Sequence, residues 1–160
     1  MSEKRKNVWL AVAGLVITDD GKWLVVKKKY SGLKGMWSLP AGFVNANETV
    51  DEAVKREVFE ETGIEAENIG LVGMRSGVIR GEISDNMLIF LMKPLHKNIM
   101  VQERELFDVA FLTPEELMKS ENHSIMLDHL INFKSEKAME TLDGINPGNH
   151  FGYTAYKLFL

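Results

Sequence analysis

From Val8 to Ile17 the chain is apolar almost without interruption. A polar turn follows, and then a second apolar run, Trp23–Val26, leads into three lysines. Asp20-Gly21 between two β-rich segments predicts a hairpin with strands over Val8–Thr18 and Trp23–Lys29. Tyr30–Trp37 is a glycine-punctuated loop, and Pro40 and Gly42 in the next stretch predict a short extended piece and a turn. Val50, Ala53, Val54 and Val58 recur at helical spacing and predict an amphipathic helix over Thr49–Thr62. Ile69–Ile79 and Asn86–Met92 predict another strand pair, joined by the polar turn RGEISD. Glu105–Thr113 then reads as a strand and Pro114–Ser120 as a short helix with proline at its first position. Ile125, Leu127, Leu130, Ile131 and Phe133 predict a last helix over Ser124–Lys137. The Gly- and aromatic-rich tail from Asn146 suggests no firm element.

Strands interleaved with a few helices predict an α+β fold, a mixed β-sheet flanked by helices. No repeat, low-complexity tract or linker divides the chain, so one domain over 1–140 is expected, with 141–160 as a tail packed on it. The composition agrees: 160 residues, 45% hydrophobic and 26% charged, are enough for a core without staples. A net charge of −4 gives no global basic field, which argues against nucleic acid as a partner. With no cysteine there is neither a disulfide framework nor a thiolate metal site, which suits a reducing, cytoplasmic setting. Lys4-Arg5-Lys6 before Val8–Ile17 mimics a secretory signal, but the small-residue triplet Ala11–Ala13 falls inside the apolar run. That run is also too short to cross a membrane as a helix, so no membrane partner is expected.

The helix over Thr49–Thr62 carries an anomaly. Thr49 and Glu52 form a capping box, Asp51 and Glu52 suit the positive end of the dipole, and Gly63 supplies a left-handed stop. Yet Glu57, Glu60 and Glu61 crowd the last turn, where negative charge opposes the dipole. At about 100° per residue they span an arc of roughly 100° that continues the edge of the apolar stripe. Glu57 and Glu61 are also a like-charge i,i+4 pair, and Arg56 can offset only part of this through Glu60. A solvated acidic face is the ordinary explanation. The placement beside the stripe, at the wrong end of the dipole and after a glycine-bearing loop, points instead to a hard divalent cation. Mg²⁺ takes carboxylate oxygens and completes its shell with water and substrate phosphates. No histidine or cysteine cluster competes for a softer metal.

The stretch Gly42–Ile64 resembles the signature box of the Nudix hydrolases. The box runs glycine, five residues, Glu, seven residues, Arg-Glu, an aliphatic, any residue, Glu-Glu, any residue, glycine, an aliphatic. Gly42, Glu48, Arg56, Glu57, Val58, Glu60, Glu61, Gly63 and Ile64 match it without departure. The box covers 23 of 160 residues, and the surrounding element order extends the likeness from about Val8 to Lys137. The resemblance implies an α/β/α sandwich that hydrolyses a pyrophosphate bond in a nucleoside diphosphate linked to another group, with Mg²⁺ or Mn²⁺. It makes Glu57, Glu60 and Glu61 metal-binding glutamates, with the carbonyl of Ala41 joining them. Glu48 and Arg56 would brace the loop against the helix, and Gly42 and Gly63 would shape the loop and end the helix. The general base varies within the family; Glu57 and Glu105 are the candidates, Glu105 being preferred to Glu103 because it sits closer to its strand.

The substrate is less legible. Leu39-Pro40-Ala41-Gly42 resembles the ADP-ribose pyrophosphatase branch, but the proline that branch usually carries after the box is missing from SGVIRGE. Marks of the diadenosine-polyphosphate, coenzyme A and NADH branches are missing as well, so nucleoside triphosphates remain candidates, and a sensor without turnover is the alternative class. Lys27, Lys29, Arg75 and Arg80, with Lys34, are candidates for meeting phosphates. Trp37 and Phe43 flank the loop and either pack or stack on a base. The tail aromatics Phe151, Tyr153, Tyr156 and Phe159 close a pocket, form a homodimer contact, or pack.

Overall fold

The computed structural model describes residues 5–30, 33–132 and 138–160. β1 (Val8–Val16) lies inside a four-stranded mixed sheet, antiparallel to β4 (Ala41–Phe43) and parallel to β6 (Ile83–Pro94), with β5 (Ala66–Ile79) at the far edge. β2 (Trp23–Lys28) is the centre of a second, antiparallel sheet between β3 (Trp37–Ser38) and β7 (Leu106–Leu112). The predicted β1–β2 hairpin is therefore corrected. The turn exists, with the Thr18 amide donating to the Lys22 carbonyl at 2.9 Å, but only Ile17 and Trp23 bridge beyond it. β1 and β2 each alternate apolar residues to two buried faces, so each needs neighbours on both edges, and one hairpin cannot supply them.

Those two faces define the layers. Val12, Val16, Leu24, Val26, Phe90 and Met92 pack under α1 (Val50–Thr62) with Ala53, Val54 and Val58. Ala11, Ala13, Leu15, Trp23, Val25, Met87 and Ile89 pack on the other side against Leu117 of α2 (Pro114–Lys119) and Leu127 of α3 (Ile125–Asn132). The result is the expected α+β arrangement, a mixed sheet flanked by helices. The predicted Ser124–Lys137 helix runs to Asn132; residues 133–137 lie outside the described residues. α1 sits unusually close to β1, because a side chain on Gly14 would meet Val58 at 2.6 Å.

The tail resolves into β8 (Thr141–Leu142) and β9 (Leu158–Phe159), which pair antiparallel, with a 3-10 turn over Asn149–Phe151 between them. Phe159 meets the fully buried Phe90 edge-on. Lys157 reaches the start of α1, its ammonium 3.1 Å from the Thr49 hydroxyl and 2.8 Å from the Asp51 carboxylate. Among the described residues no helix is long and apolar enough to cross a membrane.

Candidate active site

α1 begins and ends as its sequence dictates. The Thr49–Glu52 capping box is present, Gly63 adopts φ 74°, and the Gly63 amide donates to the Phe59 carbonyl at 2.8 Å. The charge anomaly at its C-terminal end is real, since no basic residue lies in the last turn. Arg56 is the local hub. Its Nε and Nη2 hold both oxygens of Glu48 at 2.9 and 2.6 Å, and Nη2 also donates to the Phe43 carbonyl at 3.0 Å. Nη1 reaches Glu57 at 2.7 Å and Glu60 at 3.1 Å. The guanidinium holds the Glu48 carboxyl below its ordinary range, and the Asn45 amide helps. One side chain thus ties the 42–49 loop to the acidic end of the helix.

Glu57, Glu60 and Glu61 line a cleft of about 430 Å³ together with Gln102, Arg104 and Glu105. Glu60 is the exposed member and Glu61 the buried one. Burial pushes the Glu61 carboxyl up to about 7, against the opposing pull of the Lys28 charge and the Ala41 amide, while the Glu57 charge adds to the rise. The Ala41 amide donates to Glu61 Oε2 at 3.2 Å. Lys28 Nζ lies 3.3 Å from Glu61 Oε1 and 3.2 Å from the Ala41 carbonyl oxygen. Gly42 stands where a Cβ would fall on the Glu57 carboxylate itself, so the missing side chain is what admits that carboxylate to the loop.

These residues fit a hard divalent cation in kind. The donors are carboxylate and carbonyl oxygens, Gly42 leaves a cradle for one of them, and a cation, the Lys28 ammonium, already bridges Ala41 and Glu61. The set is not fully gathered. Arg56 draws Glu57 and Glu60 toward itself, and among the described residues no three acidic or histidine side chains stand together at ligand spacing.

Of the two loop glutamates, Glu105 lines the acidic cleft, whereas Glu103 offers its carbonyl to Lys29. Lys27 lies over the Trp37 ring, 4.6 Å from its centroid, and Trp37 is buried. Arg75 pairs with Asp85 at 2.7 Å and lines a second cleft of about 170 Å³ beside Lys28, Ala41 and Met87. Arg80 sits in the β5–β6 turn at φ 53° and lines none of these clefts. Lys28, between the expected Lys27 and Lys29, is the lysine that reaches Ala41 and Glu61. Alternation was the available signal: Leu24 and Val26 face α1, so Lys28 follows them while Lys27 turns to the other side. Gln102 and Arg104 were missed too, and nothing in their local pattern marks them.

A Nudix domain matches residues 8–131. A MutT-like protein of Streptomyces ambofaciens is 32% identical over 140 residues, covering 86% of this chain and 79% of that protein. An ADP-ribose pyrophosphatase of Methanocaldococcus jannaschii is 46% identical over 67 residues, 42% of this chain and 39% of its own length. Among solved structures, a MutT Nudix hydrolase from Burkholderia pseudomallei superposes with a TM-score of 0.69 at 20% identity, covering 79% of this chain and 98% of the other. The Nudix domain of Shewanella oneidensis NrtR, complexed with ADP ribose, gives 0.68 at 18%, covering 82% and 90%. At such identities the structures speak for the fold alone. The domain match over most of the chain speaks for more: this protein belongs to the Nudix hydrolases, a family of pyrophosphohydrolases typically dependent on a divalent metal.

Proposed function

We infer that the chain hydrolyses a pyrophosphate bond in a small nucleoside-diphosphate compound, a nucleoside triphosphate or ADP-ribose, with Mg²⁺ or Mn²⁺ held by the Ala41 carbonyl, Glu57, Glu60 and Glu61. The observation that carries this reading is the meeting of the Ala41 carbonyl and the buried Glu61 around one positive charge, beside the Gly42 cradle for Glu57. When bound, the cation supplies electrostatic stabilisation of charge developing on the phosphates. The chain's own residues do the rest. Arg56 and Glu48 fix the loop so that the Ala41 carbonyl and Glu57 stay on the same side of the cleft. Glu105, or Glu57, takes a proton from the attacking water as its oxygen bonds to phosphorus, and the phosphoanhydride P–O bond breaks to release two phosphorylated products. In this reading Arg104, on the acidic cleft, and Arg75, on the second cleft and paired with Asp85, meet substrate anions.

The test is a panel of ADP-ribose, diadenosine polyphosphates, sugar nucleotides, and normal and oxidised nucleoside triphosphates, with and without Mg²⁺, products being identified by chromatography. Metal-dependent turnover of one class is expected, and Glu61→Gln should lower kcat at least a hundredfold. Tight binding of one member without any turnover would replace the enzyme with a sensor.

A further inference from the structure

The 95–105 loop between β6 and β7 brings Gln102, Arg104 and Glu105 to the acidic cleft, and it is fastened at two places. The first is the end of α1. The Met100 amide donates to the Thr62 carbonyl at 2.8 Å, and a side chain on Gly63 would meet Met100 at 2.8 Å. The second is the end of β2. There the carbonyls of Glu103, Arg104 and Glu105, three in succession, accept from two adjacent residues. The Lys29 ammonium donates to Glu103, the Tyr30 hydroxyl to Arg104, and the Lys29 amide to Glu105 at 2.8 Å. A register shift in the β2–β7 pairing makes the last of these possible. Lys27 faces Asp108 but Lys28 faces Leu106, so one extra residue of β7 brings Glu105 opposite Lys29. The Glu105 and Leu106 amides both donate to the Gln102 carbonyl, at 3.0 and 2.9 Å, which closes the turn on itself.

A closed turn can still swing as a body, and the bonds from Lys29 and Tyr30 oppose that swing. With three carbonyls drawn to β2, the Arg104 and Glu105 side chains are left to the cleft that both line. Lys28, one residue earlier, reaches the other side of the site, the Ala41 carbonyl and Glu61. Three successive residues at the end of β2 thus hold both sides of the cleft. Neither Lys29 nor Tyr30 lines it; each acts through a main-chain carbonyl.

We propose that Tyr30 and Lys29 are positioning residues, which hold the 102–105 turn so that Glu105 stands where it takes a proton from the attacking water. This role rests on the pyrophosphohydrolase reading and adds to it the part that places the base. Tyr30 is 59% exposed, so its hydrogen bond adds little to stability and its effect is read in rate.

Tyr30→Phe keeps the ring and removes only the hydrogen bond. With the preferred substrate and saturating Mg²⁺, its kcat should fall about tenfold, the cost of a small misplacement of a reacting group. Mn²⁺ affinity should stay at the wild-type value, because neither α1 nor the Ala41 loop has been altered. The decisive comparison is the same change made in Glu105→Gln. There Tyr30→Phe should lower kcat by less than about twofold, because no base is left to position. A full tenfold loss in that background would overturn the assignment, since Tyr30 would then act apart from Glu105. Wild-type kcat in Tyr30→Phe, or in Glu105→Gln itself, would overturn it as well. Lys29→Met should follow the Tyr30→Phe pattern. A rise in its KM at unchanged kcat would overturn the part given to Lys29 and return that residue to the substrate phosphates. Hydrogen exchange reads the anchor without turnover. In Tyr30→Phe the Glu105 and Leu106 amides should exchange about threefold faster or more, with α1, β1 and β6 unchanged. Turnover with both exchange and kcat unchanged would remove this inference and leave the hydrolase intact. Faster exchange in a protein that turns over no compound would remove the hydrolase, and the base with it, leaving only an anchored loop.

Discussion

Gly42 decides more than its size suggests. Its backbone needs no special φ; what matters is that the Glu57 carboxylate occupies the space of a side chain. Gly42→Ala is expected to displace Glu57 and weaken Mn²⁺ binding ten- to a hundredfold, about what loss of a supporting contact at a metal site costs. A metal titration of the folded variant reads this, and unchanged affinity would show that Glu57 is not a ligand. Lys28 makes the opposite case. Its ammonium is the counter-charge that makes the buried Glu61 tolerable in the metal-free protein. Lys28→Met should destabilise the metal-free protein by about 1–3 kcal/mol. Saturating Mg²⁺ should narrow that deficit, because a second cation then faces the same oxygens. Thermal melts with and without metal make the comparison, and an equal deficit in both would show that Lys28 and the metal do not share a site.

At the scale of elements, α1 is where sequence and structure agree most closely, and the reasons are local. Capping boxes, a proline at a helix's first turn and a glycine stop act within four residues, so they are readable in a window of that size. The helix over Pro114–Lys119 was legible for the same reason, with Thr113 and Glu116 forming its own box. Less visible was what holds the start of α1 from outside. Lys157 lies 106 residues from Asp51, both are largely buried, and nothing local announces the pair. Burial alone would raise the Asp51 carboxyl, but the Lys157 and Thr49 hydrogen bonds and the Lys157 charge hold it below its ordinary 3.8. Because the folded value is the depressed one, the stabilisation is fully present above pH 3.8 and is lost as pH falls through the folded value. Asp51→Asn should therefore be less stable than the wild type by about 1–3 kcal/mol near neutrality. The gap should close on acidification below pH 3.8. Urea titrations at several pH values test this, and a gap that persists at low pH would assign the loss to packing.

Across the whole molecule, the candidate site lies where the acidic end of α1 faces the 102–105 loop, with the end of β2 and the loop before α1 beside it. The acidic end of α1, the 42–49 loop, the end of β2 and the 102–105 loop come from separated stretches, and the topology alone brings them together. Sequence reading picked out Glu57, Glu60, Glu61 and Glu105 as candidates from local patterns on one helix and one loop, and all four line the same cleft. It paired β1 with β2 because a turn signal is local, whereas the parallel partner β6 begins 67 residues after β1 ends and leaves no short-range mark. The tail shows the same blindness, and its contacts carry the last prediction. Phe159 packs on Phe90 in the core beneath α1, while Lys157, two residues earlier, holds the first turn of α1 from above. Residues 157–159 thus touch both the sheet and the helix that carries Glu57 and Glu61. Deleting residues 156–160 removes both contacts and the β8–β9 pairing at once. If the two contacts contribute independently, the loss is about 3 kcal/mol, or roughly 6–12 °C in Tm for a chain of this size. Hydrogen exchange should then rise first at the start of α1 and in β6 about Phe90, with β2, β3 and β7 protected as before. Faster exchange spread evenly over both sheets would mean that the tail stabilises only the molecule as a whole. Unchanged exchange in α1 would mean that the Lys157 contact does not restrain the helix that carries the glutamates.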